Sequence, residues 1–164
     1  MDLSGAVALV TGGAVRLGRA MCLALADAGA RVVVHYAHSA AAAAEVAQEI
    51  AARGSEAITV QADLQDARTA PEVVARGVAH FGRVDILVNS AAIYEATDFA
   101  DTTEAYWDRH MAINLKAPFF LSQAFAAQLD GRRGHIVNIA DWRGARPTAS
   151  RVAYTLTKSG IIAM

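Results

Sequence analysis

Two groups of residues in this 164-residue chain have the types and spacing to do chemistry. The first is Tyr154-Thr-Leu-Thr-Lys158. Four residues apart on a helix, a phenol and an ammonium share one face. A phenol with a pKa of about 10 exchanges its proton sluggishly at neutral pH, and a neighbouring ammonium favours the phenolate, so the pair suits proton transfer. A tyrosine taken alone in such a run is more readily a core residue. The second group is the turn Thr11-Gly12-Gly13-Ala14-Val15-Arg16-Leu17-Gly18. Its glycines let the backbone bend tightly and approach a pyrophosphate. A helix after the turn aims free N–H groups and its positive dipole end at that anion. The same turn also suits a purely structural strand-to-helix connection.

These residues need elements to hold them. The apolar run Ala6–Val10 predicts a strand before the turn, and Leu17, Met21 and Leu25 on one face predict a helix from Arg16. Further strands are expected at Arg31–His35, Ala57–Gln61, Asp85–Asn89 and His135–Ile139. Helices are expected at Arg16–Ala28, Ser39–Arg53 and Thr69–Phe81, with a longer helical region from Thr103 to Leu129. Ser39 can cap the second helix and Gly54 can end it. Strands rich in Val and Ile and apolar on both faces imply a parallel sheet covered by helices on both sides. The alternation gives a doubly wound α/β fold of the Rossmann type, one domain over residues 1–164. A last helix begins near Ser150, and the chain stops at Met164 within Gly-Ile-Ile-Ala-Met, without a C-cap glycine or a charged last turn. The reading is of a fold truncated inside or just after that helix.

Composition narrows the function. A hydrophobic fraction of 54% permits a sizeable core, and a net charge of −1 gives no reason to expect a nucleic-acid or membrane-surface partner. Cys22 is the single cysteine, which excludes an intramolecular disulfide and a cysteine zinc cluster, and it reads as a small core residue. The five histidines show no metal-ligand spacing. No apolar run reaches the roughly 18 residues of a membrane span and no signal peptide is visible, so a cytoplasmic location is expected.

With Thr11-Gly12 near one end and Tyr154-x-x-x-Lys158 at the other, the chain resembles the short-chain dehydrogenase/reductase family from about residue 5 to residue 164. Asp63-Leu64 after the third strand, Asn89-Ser90-Ala91-Ala92 after the fourth and Asn114 in the long helical region fall in the family's order. Two departures stand out. The family's middle turn glycine is Arg16 here, and its catalytic serine, 13 residues before the tyrosine, is Asp141. Both departures, with His35-Tyr36-Ala37-His38-Ser39 after the second strand, resemble the pteridine reductase branch, which reduces pterins or folates with NADPH.

The resemblance implies NADP(H) as cofactor. Thr11, Gly12, Gly13, Arg16, Leu17 and Gly18 would form the phosphate turn. No Asp or Glu lies between Asp27 and Glu45, so a 2′-phosphate meets no repulsion there, and Arg16, His38 and Ser39 could bind it. Asp63 and Leu64 would lie at the adenine, or Asp63 would serve a turn. Asn89, Ser90 and Ala91 would line the cofactor's approach, with Asn89 bracing neighbouring strands. The implied reaction is hydride transfer to a C=O or C=N carbon, with Tyr154 giving the proton, Lys158 favouring the phenolate and holding the ribose, and Asn114 holding a relay water. Asn114 could instead be a polar residue that breaks a helix. Asp141 would bind a pterin's N–H groups and join Tyr154 in proton delivery, or cap the turn before Trp142. Trp142, Tyr94 and Phe99 are either walls for a flat ring or core.

The leading expectation is therefore an NADPH-dependent reductase of a pterin-like small molecule. Its rivals are a short-chain reductase of a 3-oxoacyl or sugar carbonyl, and a non-catalytic nucleotide-binding fragment. The family resemblance also implies a homodimer or homotetramer at full length, with Phe119, Phe120 and Phe125 serving either the partner surface or the core.

Overall fold

Side-chain alternation along one strand sets up the architecture. In β1 (Val7–Val10) all four residues are fully buried. Val7 and Leu9 join one core cluster and Ala8 and Val10 the other, as a strand's period of two requires when both faces are covered. The computed structural model describes residues 2–164. After β1 come α1 (Arg16–Asp27), β2 (Arg31–Tyr36), α2 (Ala40–Ala52), β3 (Ala57–Gln61), α3 (Ala70–Phe81) and β4 (Ile86–Asn89). They are followed by α4 (Glu104–Met111), α5 (Ala117–Gln128), β5 (His135–Asn138), α6 (Trp142–Ala145) and α7 (Val152–Ala163).

The strands form one parallel sheet in the order β3-β2-β1-β4-β5. On one face, Leu9, Val33 and Leu87 pack with Val73, Val74 and Phe81 of α3 and Leu121 and Phe125 of α5. On the other, Val10, Val32 and Val34 pack with Cys22 and Leu23 of α1 and Val46 and Ile50 of α2. Burying each such side chain contributes about 1.5–3 kcal/mol. The connections leaving β1 and β4 run to opposite faces, which opens a crevice at the carboxyl ends of these two strands.

Four sequence expectations are corrected. The helical region from Thr103 to Leu129 is not one helix: a wider π-helical turn, Ala112–Lys116, separates α4 from α5. Pro118 supplies the reason, since it has no N–H for the carbonyl four residues back, that of Asn114. The face that α1 buries is Gly18, Cys22, Leu23 and Ala26; Met21 and Leu25 are only partly buried and Leu17 is 56% exposed. Strand β5 is not covered on both sides, and Ile136 and Val137 are each nearly half exposed. Ser39 sits at the N-cap position of α2 without a capping hydrogen bond from its side chain, so its hydroxyl is uncommitted. Gly54 does follow α2, at φ +84. Phe125 is core, Phe120 packs against it, and Phe119 is exposed.

Among the glycines, Gly18 in the first turn of α1 is the most closely packed. A Cβ there would lie 2.0 Å from the Gly12 carbonyl oxygen, which is backbone and cannot swing aside. Gly18→Ala is expected to destabilise the protein by about 2 kcal/mol or more, at the upper end of overpacking effects. The midpoint of urea unfolding measures this, and an unchanged midpoint would show that α1 can slide away without loss.

Candidate active site

The crevice is built from the backbone outward. Thr11 ends β1 with its hydroxyl turned inward. Its Oγ1 donates to the Val88 carbonyl (3.3 Å) and accepts from the N–H groups of Ser90 and Ala91 (both 3.0 Å). Thr11 is 1% exposed, so it fastens the ends of β1 and β4 together and does not line the cleft. Gly12 follows at φ +65, a conformation that favours glycine, and its Cα lies so close to Ala91 that a Cβ would come within 3.0 Å of the Ala91 Cα. Helix α1 then begins with no side-chain cap and no acidic residue in its first turn, which leaves its N–H groups open to an anion.

His35 supports this turn from below. It belongs to strand β2 and not to the loop after it. Its Nδ1 accepts from the Gly12 N–H (3.2 Å), its carbonyl accepts from the Gly13 N–H (2.9 Å), and its Nε2 lies 3.1 Å from the Ala62 carbonyl. A ring whose Nδ1 accepts and whose Nε2 donates is neutral. Burial favours that state and lowers the His35 pKa from the ordinary 6.5 to about 4, against the opposing pull of the Ala62 carbonyl and the Asp63 charge. Sequence reading places His35 with the cofactor loop but cannot show this tie, because its partners lie 23 and 27 residues away.

A cleft of about 420 Å³ opens over the turn. Its walls are Gly12, Ala14 and Val15 from the turn, His35 to Ser39 at the end of β2 and after it, Asp63, Leu64 and Gln65 after β3, Ala91, Ala92, Ile93 and Glu95 after β4, and Arg109 and Ile113 from the helical region beyond. His38, Ser39, Asp63, Leu64 and Ala91 are thus brought together as the sequence suggests. Asp63 also accepts from the Gln65 N–H (2.9 Å), so its turn role is realised alongside. Gly13, Arg16, Leu17, Gly18 and Ser90 stand outside the walls. Gly13 and Gly18 are packed behind the turn, and Arg16, at φ +51, is exposed on the first turn of α1. Asn89 is a brace: its Nδ2 donates to Asn138 Oδ1 (2.9 Å) and Ser122 Oγ (3.2 Å).

The second cluster lies across the same edge of the sheet. Tyr154 and Lys158 stand one turn apart on α7. The Tyr154 hydroxyl donates to Asp141 Oδ2 (2.9 Å), while Asp141 Oδ1 accepts from the Arg143 N–H (2.8 Å) at the start of α6. Asp141 is therefore a cap and a partner of the tyrosine at once. Burial alone would raise the Asp141 pKa, but these two hydrogen bonds and the charges of Arg143 and Lys158 outweigh it and hold the carboxyl below its ordinary range. Lys158 donates to the Ile139 carbonyl (2.6 Å), and burial lowers its pKa.

The expectation that Lys158 favours the phenolate is corrected here. Burial comes first, then the hydrogen bond to Asp141 and its negative charge, and together they push the Tyr154 phenol well above its ordinary value. Asn114 pins the loop after β4: its Oδ1 accepts from the Ile93 N–H (2.8 Å), and its Nδ2 donates to the Ile93 carbonyl (2.9 Å) and lies 3.5 Å from Thr157 Oγ1 on α7. Tyr94, Trp142 and Phe99 are 47%, 59% and 73% exposed, which rules out core packing for all three.

The chain matches the model of the short chain dehydrogenase family over residues 6–164. It is 36% identical to the 3-oxoacyl-[acyl-carrier-protein] reductase of Synechocystis over 161 residues, covering 98% of this chain and 65% of that protein. It is likewise 36% identical to the 2-dehydro-3-deoxy-D-gluconate 5-dehydrogenase of Escherichia coli, covering 98% of this chain and 63% of that one. A short chain dehydrogenase from Burkholderia cenocepacia, crystallised in complex with NADP, superposes with a TM-score of 0.93 at 36% identity, over 99% of this chain and 66% of the other. The chain spans 50% to 65% of the length of the curated relatives it matches.

The buried neutral His35 makes stability depend on pH. Between pH 6.5 and about 4 the unfolded chain holds a proton on this histidine that the folded chain does not, so stability falls as pH drops through that window. The loss is about 3 kcal/mol when complete. Urea midpoints taken across the window should fall less steeply for His35→Asn than for the parent chain; parallel curves would show that another group titrates.

Proposed function

The chain belongs to the short-chain dehydrogenase family, and we propose that it binds NADP(H) at the glycine turn and reduces a carbonyl or imine carbon with Tyr154 as the proton donor. When bound, the nicotinamide supplies a hydride. The residues present fit such a cofactor. A Cβ at Gly12 would press on Ala91, the uncapped start of α1 faces the turn, and the cleft runs from there to Asp63 and Leu64. NADP(H) is favoured over NAD(H) because the wall after β2 offers His38, the uncommitted Ser39 hydroxyl and no acid. Arg16 is exposed on the first turn of α1, from which its long side chain can reach an anion at the rim.

The observation that carries the reading is the hydrogen-bonded pair Tyr154–Asp141, with Lys158 one turn further on, at the sheet edge that holds the turn. Asp141 orients the phenol and keeps its proton in place until the substrate oxygen or nitrogen becomes basic. Lys158, held by the Ile139 carbonyl, keeps positive charge beside the ring, 5.7 Å from its centroid. Asn114 fixes the Ile93 backbone, which lines the cleft.

For the substrate, the relatives' names support a carbonyl compound of the 3-oxoacyl or sugar-acid type. One feature favours a second reading, a pterin or folate-like ring: Asp141 is a carboxylate that could accept from ring N–H groups, where the family's usual serine could donate. NADPH consumption with acetoacetyl thioester, 2-dehydro-3-deoxygluconate, dihydrobiopterin and dihydrofolate separates the two. Turnover of the first pair alone supports the carbonyl reading, turnover of the second pair alone the pterin reading, and absence of both turnover and NADPH binding overturns the proposal.

Tyr154→Phe is expected to lower kcat for reduction by about 10²–10⁴-fold, the usual contribution of a positioned acid. The pH profile gives a finer test. Reduction needs the phenol protonated, and its raised pKa keeps it so through alkaline pH. Asp141→Ser removes the carboxylate, so the alkaline limb of the kcat profile should move to lower pH. An unmoved limb would show that Asp141 does not govern Tyr154.

A further inference from the structure

The ring of Tyr94 stands edge-on to the ring of Tyr154, with centroids 4.6 Å apart. Two guanidinium groups lie over this same Tyr94 ring, that of Arg151 at 4.3 Å and that of Arg143 at 5.6 Å. Arg143 also lies 4.8 Å from the ring of Trp142. A cation over an aromatic face is attracted to it, but two cations on one ring repel each other. Elsewhere in the chain crowded arginines are neutralised: Arg83 and Arg132 pair with Asp85, and Arg109 pairs with Glu95. Among the described residues, no acidic side chain pairs with Arg143 or Arg151. Asp141, whose charge acts with that of Arg143, is already committed to the Arg143 N–H and the Tyr154 hydroxyl. The Nε atoms of both arginines are buried without a hydrogen-bond partner. A buried donor without an acceptor is unfavourable, and the planar fork of donors on a guanidinium matches an oxyanion.

We propose that Arg143 and Arg151 receive an anionic group of the substrate, a carboxylate or a phosphate, set a few bonds from the carbon that is reduced beside Tyr154. The inference rests on Tyr154 being the proton donor, as argued above. Arg143 and Arg151 are then specificity-determining residues, and the exposed parts of Tyr94 and Trp142 border the path of the substrate between the anion and the reacting carbon. Asp98 and Asp101 line the hollow beside Arg151, where their charge disfavours an anion, so the group approaches from the side of Trp142. An oxyanion there supplies the negative charge that Arg143 and Arg151 lack, and a neutral isostere does not.

The test uses 4-acetylbenzoate, 4-acetylphenyl phosphate and the neutral 4-acetylbenzamide. Binding is followed by titration calorimetry without cofactor, and reduction by NADPH consumption. The two anions should bind about tenfold or more tightly than the amide, as charge-assisted hydrogen bonds allow, and the stronger anion tells carboxylate from phosphate. In Arg151→Gln the ratio of anion to amide binding should shrink, and in Arg143→Gln/Arg151→Gln it should fall to about one, with unchanged circular dichroism. Equal binding of anion and amide by the parent chain, or an anion preference that survives in the double variant, would overturn the proposal. Failure of NADPH to bind would instead remove the reductase reading and leave the anion preference measurable.

Discussion

One hydroxyl group holds the two halves of the site in register. Thr11 Oγ1 gives its proton to the Val88 carbonyl and takes the N–H groups of Ser90 and Ala91. Through it the turn after β1 and the loop after β4 become one rigid edge. The close approach of Gly12 to Ala91 exists because of this tie, and so does the position of Ile93, which Asn114 then grips from the α4–α5 side. His35 adds the third strand by receiving the Gly12 N–H. Three strand ends are thus joined by side chains that are buried, neutral and fully engaged, which suits an edge that must present backbone to an anion without moving.

Electrostatics divides the edge in two. The polar groups that fasten the turn from beneath are neutral, a buried histidine and a threonine, and the helix start offers open amides. Around Tyr154 the groups are charged and set against each other. Asp141 keeps the phenol protonated, Lys158 offsets that carboxylate, and Arg143 ties its own backbone to it. A serine in place of Asp141 would remove the carboxylate that opposes the charge of Arg143 on the phenol. With the carboxylate present, the tyrosine is a reluctant acid that gives up its proton only to a strongly basic centre, such as the oxygen or nitrogen left when a hydride arrives.

Much of this was legible in the sequence wherever a signal was local. Strand, turn and helix follow one another between residues 7 and 27, and Tyr154 and Lys158 declare a shared helix face by spacing alone. What escaped reading depends on partners far away in the chain. Nothing near His35 announces that its ring meets Gly12, and nothing near Tyr94 announces two arginines some fifty residues further on. The raised pKa of Tyr154 is hidden for a related reason: the spacing shows Lys158, while burial and then Asp141 act on the phenol only through the fold. The break at Ala112–Lys116 did have a local sign, since Pro118 stands in an otherwise unbroken helical pattern.

That break also acts as a phase adjuster. A π-helical turn holds one residue more than an α-helical one, so every position after it is rotated by about 100° relative to an uninterrupted helix. The stripe Ala117, Leu121 and Phe125 faces α3 and the sheet because of this rotation, while α4 before the break packs against α7. One segment therefore serves two neighbours in different directions, with Asn114 at the pivot. Loss of a single residue between 112 and 116 would straighten the rod and turn Phe125 out of the core, so chain length there is constrained as strictly as residue type.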